Sequence, residues 1–134
     1  MAIRLVADTH TILWYLYDDP RLSGPAASAL DAAELDGDQI AIASITLAEI
    51  VYLVEKGRIQ QSSFERIASA LEDVTSALVE IPFDLSIAKA MRQIERDQVP
   101  ELPDRIVAAT AFYLGIPVVS RDLKIRASIV MTIW

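Results

Sequence analysis

At 134 residues, with 53% hydrophobic residues, no cysteine and a net charge of −7, the chain has the size of a single domain, residues 1–134, and excludes disulfides and thiolate metal sites. The opening Met1-Ala2-Ile3-Arg4-Leu5-Val6-Ala7-Asp8 reaches a carboxylate before an export segment could form, and no apolar run has membrane-spanning length, so a cytoplasmic protein without a membrane partner is expected. The acidity opposes a polyanionic partner at face value, whereas the apolar surplus predicts assembly with another subunit.

Ile3 to Ala7 reads as a buried strand, closed by Asp8-Thr9 at the start of a helix through Ile12, Leu13, Leu16 and Tyr17. Taken alone, Asp8 is a helix N-cap. His10 has no second histidine or cysteine beside it, which favours packing or hydrogen bonding over metal ligation. Trp14, Tyr15 and Tyr17 are expected to pack or to meet a partner. Asp18-Asp19-Pro20 ends this helix, and Ser23-Gly24-Pro25 starts another that reaches about Leu35.

After the Asp36-Gly37-Asp38 turn, Gln39 to Ala43 reads as a second buried strand. The next helix carries Glu49 and allows two starts. If Thr46 opens it, Thr46-Leu47-Ala48-Glu49 is a capping box and Glu49 folds back on the backbone. If Ser44 opens it, Glu49 lies more than one turn in, on a face where a carboxylate needs a cation. Gly57 stops this helix, and Ser62-Ser63-Phe64-Glu65 reads as a capping box for a helix to about Ala77.

Val79 to Ile81 reads as a short strand, Asp84 as the start of a helix to about Arg96, and 97–103 as a loop. Pro103 and Asp104 mark a helix start, with the carboxylate at the positive end of the dipole. The helix ends at Gly115 and Pro117. Val118 and Val119 then form a buried strand that ends in Ser120-Arg121-Asp122, followed by a short helix over 124–128 and an edge strand over 130–134 that includes Trp134.

Strands alternating with helices predict an α/β fold, a twisted and mainly parallel sheet of four to five strands flanked by helices, with ligands at the carboxyl ends of the strands. Asp8, Glu49, Asp104 and Asp122 all fall at that edge. Four unpaired carboxylates in one cleft repel each other, and a divalent cation resolves the conflict. An all-oxygen donor set selects Mg²⁺, with Mn²⁺ as a substitute, and implies phosphodiester hydrolysis. Thr9 and Ser120 are placed to hydrogen-bond the carboxylates or the attacking water.

The ordered segments Asp8-Thr9-His10, Ile45 to Ile50, Pro103 to Ala111, Ser120-Arg121-Asp122 and Thr132-Ile133-Trp134 resemble a PIN domain of the VapC toxin type over nearly the whole chain. Ser120 stands where that family often has threonine. The resemblance implies a Mg²⁺-dependent endoribonuclease that arrests translation, with the four acids as its catalytic and metal-binding quartet. It also implies a homodimer and a VapB-type antitoxin, with DNA reached only through the antitoxin. An antitoxin helix lying in a groove, with a basic side chain reaching the carboxylates, is the expected mode of inhibition.

Two other classes compete. A phosphate-accepting signalling domain needs paired acids after the first strand and a late lysine, whereas Asp8 stands alone and Lys124 lies beyond Asp122. A non-catalytic binding module would keep the fold without the quartet's chemistry. RNA contact is expected from a local basic rim of Arg105, Arg121, Lys124 and Arg126, with Arg66 placed in a distant helix; the plainer alternative for Lys124 and Arg126 is a pair of solvated helix-end charges.

Overall fold

The computed structural model describes residues 2–134. The apolar runs form five strands among these residues: β1 (Ile3–Ala7), β2 (Gln39–Ala43), β3 (Leu78–Ile81), β4 (Val118–Val119) and β5 (Thr132–Ile133). They pair in the order β3-β2-β1-β4-β5, every pair parallel. Seven helices connect them: α1 (Thr9–Leu16), α2 (Gly24–Leu35), α3 (Ser44–Glu55), α4 (Ser63–Glu72), α5 (Leu85–Met91), α6 (Leu102–Leu114) and α7 (Leu123–Arg126).

The twofold alternation of β2 sorts the layers. Ile40 and Ile42 face a core with Leu13 of α1, Leu30 of α2, Ile50 of α3 and Ile67 of α4. Ala41 and Ala43 face the other, with Ile87 of α5, Ala108 and Ala109 of α6, and Ile125 of α7. Both faces of the sheet are therefore covered, as parallel sheets require. Alanines on both sides of the second contact leave room for α6 to lie close to the sheet.

The register fixes what leaves the sheet. Ala7 lies opposite Val119, so Asp8 and Ser120 emerge side by side. The helix α6 ends at Gly115, whose φ of 70° lies in the left-handed region, and the chain turns there into β4.

Several expectations give way to other side-chain bonds, local and tertiary. Ser62 has helical dihedrals and makes no capping bond; its hydroxyl instead lies 3.2 Å from that of Tyr17. α4 stops at Glu72 rather than near Ala77, because the Asp73 carboxylate accepts from the backbone and hydroxyl of Thr75 and turns the chain. α5 stops at Met91 rather than Arg96. One nitrogen of Arg105 donates to the carbonyls of Met91 and Ile94, each at 3.0 Å, which a longer helix would have used for its own next turn. The last helix is one turn, and the edge strand shrinks to two residues.

Replacing Gly115 by alanine is expected to lower stability by about 1–2 kcal/mol, since only backbone strain opposes the added methyl and nothing lies within 4 Å of it. Asparagine, which tolerates the left-handed region better, is expected to cost less; denaturant unfolding of both variants checks the order.

Candidate active site

Asp8 caps α1 immediately beyond β1. One carboxylate oxygen accepts from the backbone N–H of Thr11 at 2.9 Å; the other accepts from the buried hydroxyl of Ser120. Ser120 itself accepts from the backbone N–H of Asp122 at 3.0 Å. Asp122 in turn caps α7, taking the N–H groups of Lys124 and Ile125. The two strand ends are thus tied into one chain of bonds running from Thr11 to α7.

α3 begins directly at Ser44, with Ala43 as an N-cap that makes no side-chain bond, so the capping-box alternative for Glu49 does not form. Glu49 instead accepts from the hydroxyl of Thr9 at 2.6 Å, while the buried Thr46 hydroxyl lies 3.1 Å from the same Thr9 oxygen. Burial pushes the Glu49 carboxyl above the usual range, and Asp8 adds to the shift; the Thr9 hydrogen bond and the charge of His10 oppose it.

α6 runs against the strand direction before feeding β4, which sets its first turn, with Asp104, at the carboxyl edge of the sheet. Burial pushes Asp104 up to about 7, with the charges of Asp122, Glu49 and Asp8 and a hydrogen bond to Asp122 acting the same way. All four acids therefore face a shared cleft of about 410 Å³, whose lining also includes Thr9, His10, Trp14, Glu101 and Arg121.

The basic residues divide. Arg121 enters the cleft wall, its guanidinium 4.8 Å from the centre of the Trp14 ring. Lys124 and Arg126 are exposed on α7. Arg105 is committed to the carbonyls of Met91 and Ile94, so its guanidinium braces the loop before α6 and does not reach the rim. Arg66 lies away from the acid cleft, at the far end of α1, where its guanidinium sits 4.6 Å from the Tyr17 ring and one nitrogen donates to the carbonyl of Leu16.

Sequence reasoning left Trp14, His10 and Glu101 out of the site. His10 is exposed, its ring centre 5.7 Å from that of Trp14. A tryptophan four residues after His10, in the helix that a strand-end aspartate opens, was the signal to follow, because residues three and four apart share a helix face.

The donor set is purely carboxylate and hydroxyl, suited to a hard divalent cation. Among the described residues, no three Asp, Glu or His side chains gather closely enough to cage an ion unaided.

Residues 5–127 match the family model of the PIN domain. Over 123 residues, 92% of this chain and 90% of the relative, the sequence is 26% identical to ribonuclease VapC22 of Mycobacterium tuberculosis. The fold is similar to that of VapBC2 from Rickettsia felis, solved with a DNA fragment from the promoter (TM-score 0.72, 18% identity, 97% of each chain). It is also similar to a toxin–antitoxin complex from Klebsiella pneumoniae (TM-score 0.61, 25% identity, 93% of this chain and 92% of that one).

The carboxylate crowding has a measurable consequence. Asp104 is raised from 3.8 to about 7 in the folded protein, so the folded state binds the extra proton between these values, and stability falls as pH rises through that window. The carboxyl is only partly buried, so solvent screening discounts the shift to about 1 kcal/mol. In EDTA, the melting temperature is expected to fall between pH 5 and pH 8. Asp104→Asn should remove most of that fall and gain about 3 °C at pH 8, as thermal denaturation across the range would show.

Proposed function

Because the chain belongs to the PIN domain family, we propose that it is a Mg²⁺-dependent endoribonuclease, the toxin of a VapBC-type pair that arrests translation by cutting RNA in the cytoplasm. The observation that carries this reading is the convergence of Asp8, Glu49, Asp104 and Asp122 on one cleft. Burial raises the Asp104 and Glu49 carboxyls and the charges of neighbouring acids add to the shift, a repulsion that a bound cation would relieve. The similarity to ribonuclease VapC22 supports RNA as the substrate.

Asp8, Asp104, Asp122 and Glu49 would hold Mg²⁺, or Mn²⁺ in its place. When bound, the ion lowers the pKa of water and neutralises charge building on the phosphate. The chain's own groups set the geometry. Ser120 and the Thr11 N–H fix both oxygens of Asp8, which orients that carboxylate without rotamer freedom. Thr9 holds one oxygen of Glu49, leaving the second to accept a proton from the water that attacks phosphorus, while the P–O ester bond breaks and the leaving oxygen takes a proton from solvent. Arg121 stands at the cleft wall as a partner for phosphate, with Lys124 and Arg126 on the rim beyond it.

A VapB-type antitoxin is the proposed protein partner, supported by the toxin–antitoxin complexes among similar structures, and DNA would be met only through it. A homodimer is supported by exposed apolar side chains on one layer: Leu85 of α5, Leu102 and Tyr113 of α6 and Leu123 of α7 are each more than half exposed. A non-catalytic module would have no use for four acids converging on one cleft, two of them held by buried hydroxyls.

Asp8→Asn and Asp104→Asn keep the capping and helix-start chemistry but lose charge. Each is expected to reduce Mg²⁺-dependent RNA cleavage at least as strongly as the 10–100-fold typical of lesser changes around metal sites, with the circular dichroism spectrum unchanged. Full activity in Asp8→Asn would place the site elsewhere. Light scattering at micromolar concentration is expected to give the mass of two subunits, and the mass of one would exclude the dimer.

A further inference from the structure

A second cleft, of about 620 Å³, adjoins the acid cleft and shares His10 and Trp14 with it. Its lining includes Tyr17, Arg21, Arg58 and Gln60, over a partial apolar floor of Leu13, Leu53 and Ile59. Trp14, only 7% exposed, is the partition between the two. Its indole seats a guanidinium for each: Arg121, 4.8 Å from the ring centre, lines the acid cleft, and Arg21, 5.1 Å from it, lines the second. Arg66 lies over Tyr17 at the far side. Among the described residues Arg58 makes no ion pair, and the one pair on the second cleft, Arg21 with Asp19 at 2.8 Å, is a surface pair with Arg21 largely exposed.

Guanidinium groups spaced along a groove and steadied on aromatic rings give a single-stranded nucleic acid charge for its backbone, and the exposed His10 ring between the clefts offers a face for an unstacked base. A protein helix would need a continuous apolar stripe, which two exposed arginines and Gln60 interrupt. We propose that the second cleft is a subsite for single-stranded RNA flanking the cleaved bond, with the strand crossing the His10–Trp14 partition. Arg121 takes a phosphate on one side; Arg21 and Arg58 take phosphates on the other. The proposal rests on the ribonuclease reading above but depends on a separate set of residues. It also explains how a chain of charge −7 holds a polyanion: the local field along the path, rather than the net charge, faces the strand.

The test measures binding of fluorescent single-stranded RNA to the Asp104→Asn protein, using oligonucleotides of about 4 and about 12 nucleotides, across a salt series. Arg21→Ala and Arg58→Ala are made in that background, with Arg92→Ala, an exposed charge at the end of α5, as the control for net charge. The longer RNA is expected to bind more tightly. Arg58→Ala and Arg21→Ala should each weaken it several-fold and flatten its salt slope by about 0.7 for each phosphate no longer neutralised. Neither should alter binding of the short RNA, and Arg92→Ala should alter neither RNA. If length adds nothing, or if Arg58→Ala and Arg92→Ala act alike, the second cleft is off the RNA path and is left for a protein partner. Cleavage by the unsubstituted protein is scored separately. Cleavage without the Arg58 effect overturns the subsite alone; the Arg58 effect without cleavage keeps the subsite and removes the nuclease reading.

Discussion

The structure is organised around carboxylates that repel each other at the edge of a buried sheet. Asp8 follows the central strand, Asp122 follows its neighbour β4, Glu49 comes from the helix after β2 and Asp104 from the helix before β4. Nothing in local propensity rewards that gathering, since each acid would be content as a solvated cap. Hydroxyls from Thr9 and Ser120 satisfy part of the demand by donating to Glu49 and Asp8. Asp104 receives no comparable help and is the acid pushed furthest upward. Strain of this kind is typical of sites that are built for a ligand rather than for stability.

The parallel sheet sets where these groups meet. Because β1 has parallel partners on both sides, its carboxyl end lies between the connections that follow β2 and β4. Small side chains on β2 and α6 let the helix that carries Asp104 pack close on one face, while the isoleucines of β2 fill the other. The packing and the site share one origin, since the residues that bring α6 near the sheet also bring Asp104 near Asp8.

Much of this was legible from residue order alone. The strand ending in Asp8, the strand ending in Ser120-Arg121-Asp122 and the stop at Gly115 are short-range signals, and all three appear in the structure as read. The convergence of the four acids on one cleft was legible because each falls in or next to a connection at the same edge of the sheet. What escaped was set by long-range bonds. The early end of α5 follows from Arg105, eleven and fourteen residues further along, and no window centred on α5 contains that information. Ser62 looked like a cap because its chemistry is right, but Tyr17, 45 residues away, takes its hydroxyl. Trp14 read as generic packing, because a partition between two clefts exists only once α1, α3 and the chain after β4 are in place.

The bond between Ser120 and Asp8 joins residues 112 positions apart, and the pairing of β1 with β4 that creates it is equally non-local. A chain made from its N-terminus can pair β1 with β2 early but leaves the other edge of β1 open until β4 is made, and contacts of such separation form slowly because loop closure precedes any reward. Until β4 docks, Asp8 faces water without its serine, and Asp122 has no fixed place beside Asp104. The arrangement of acids in the cleft is thus complete only once the most non-local pairing of the sheet has formed.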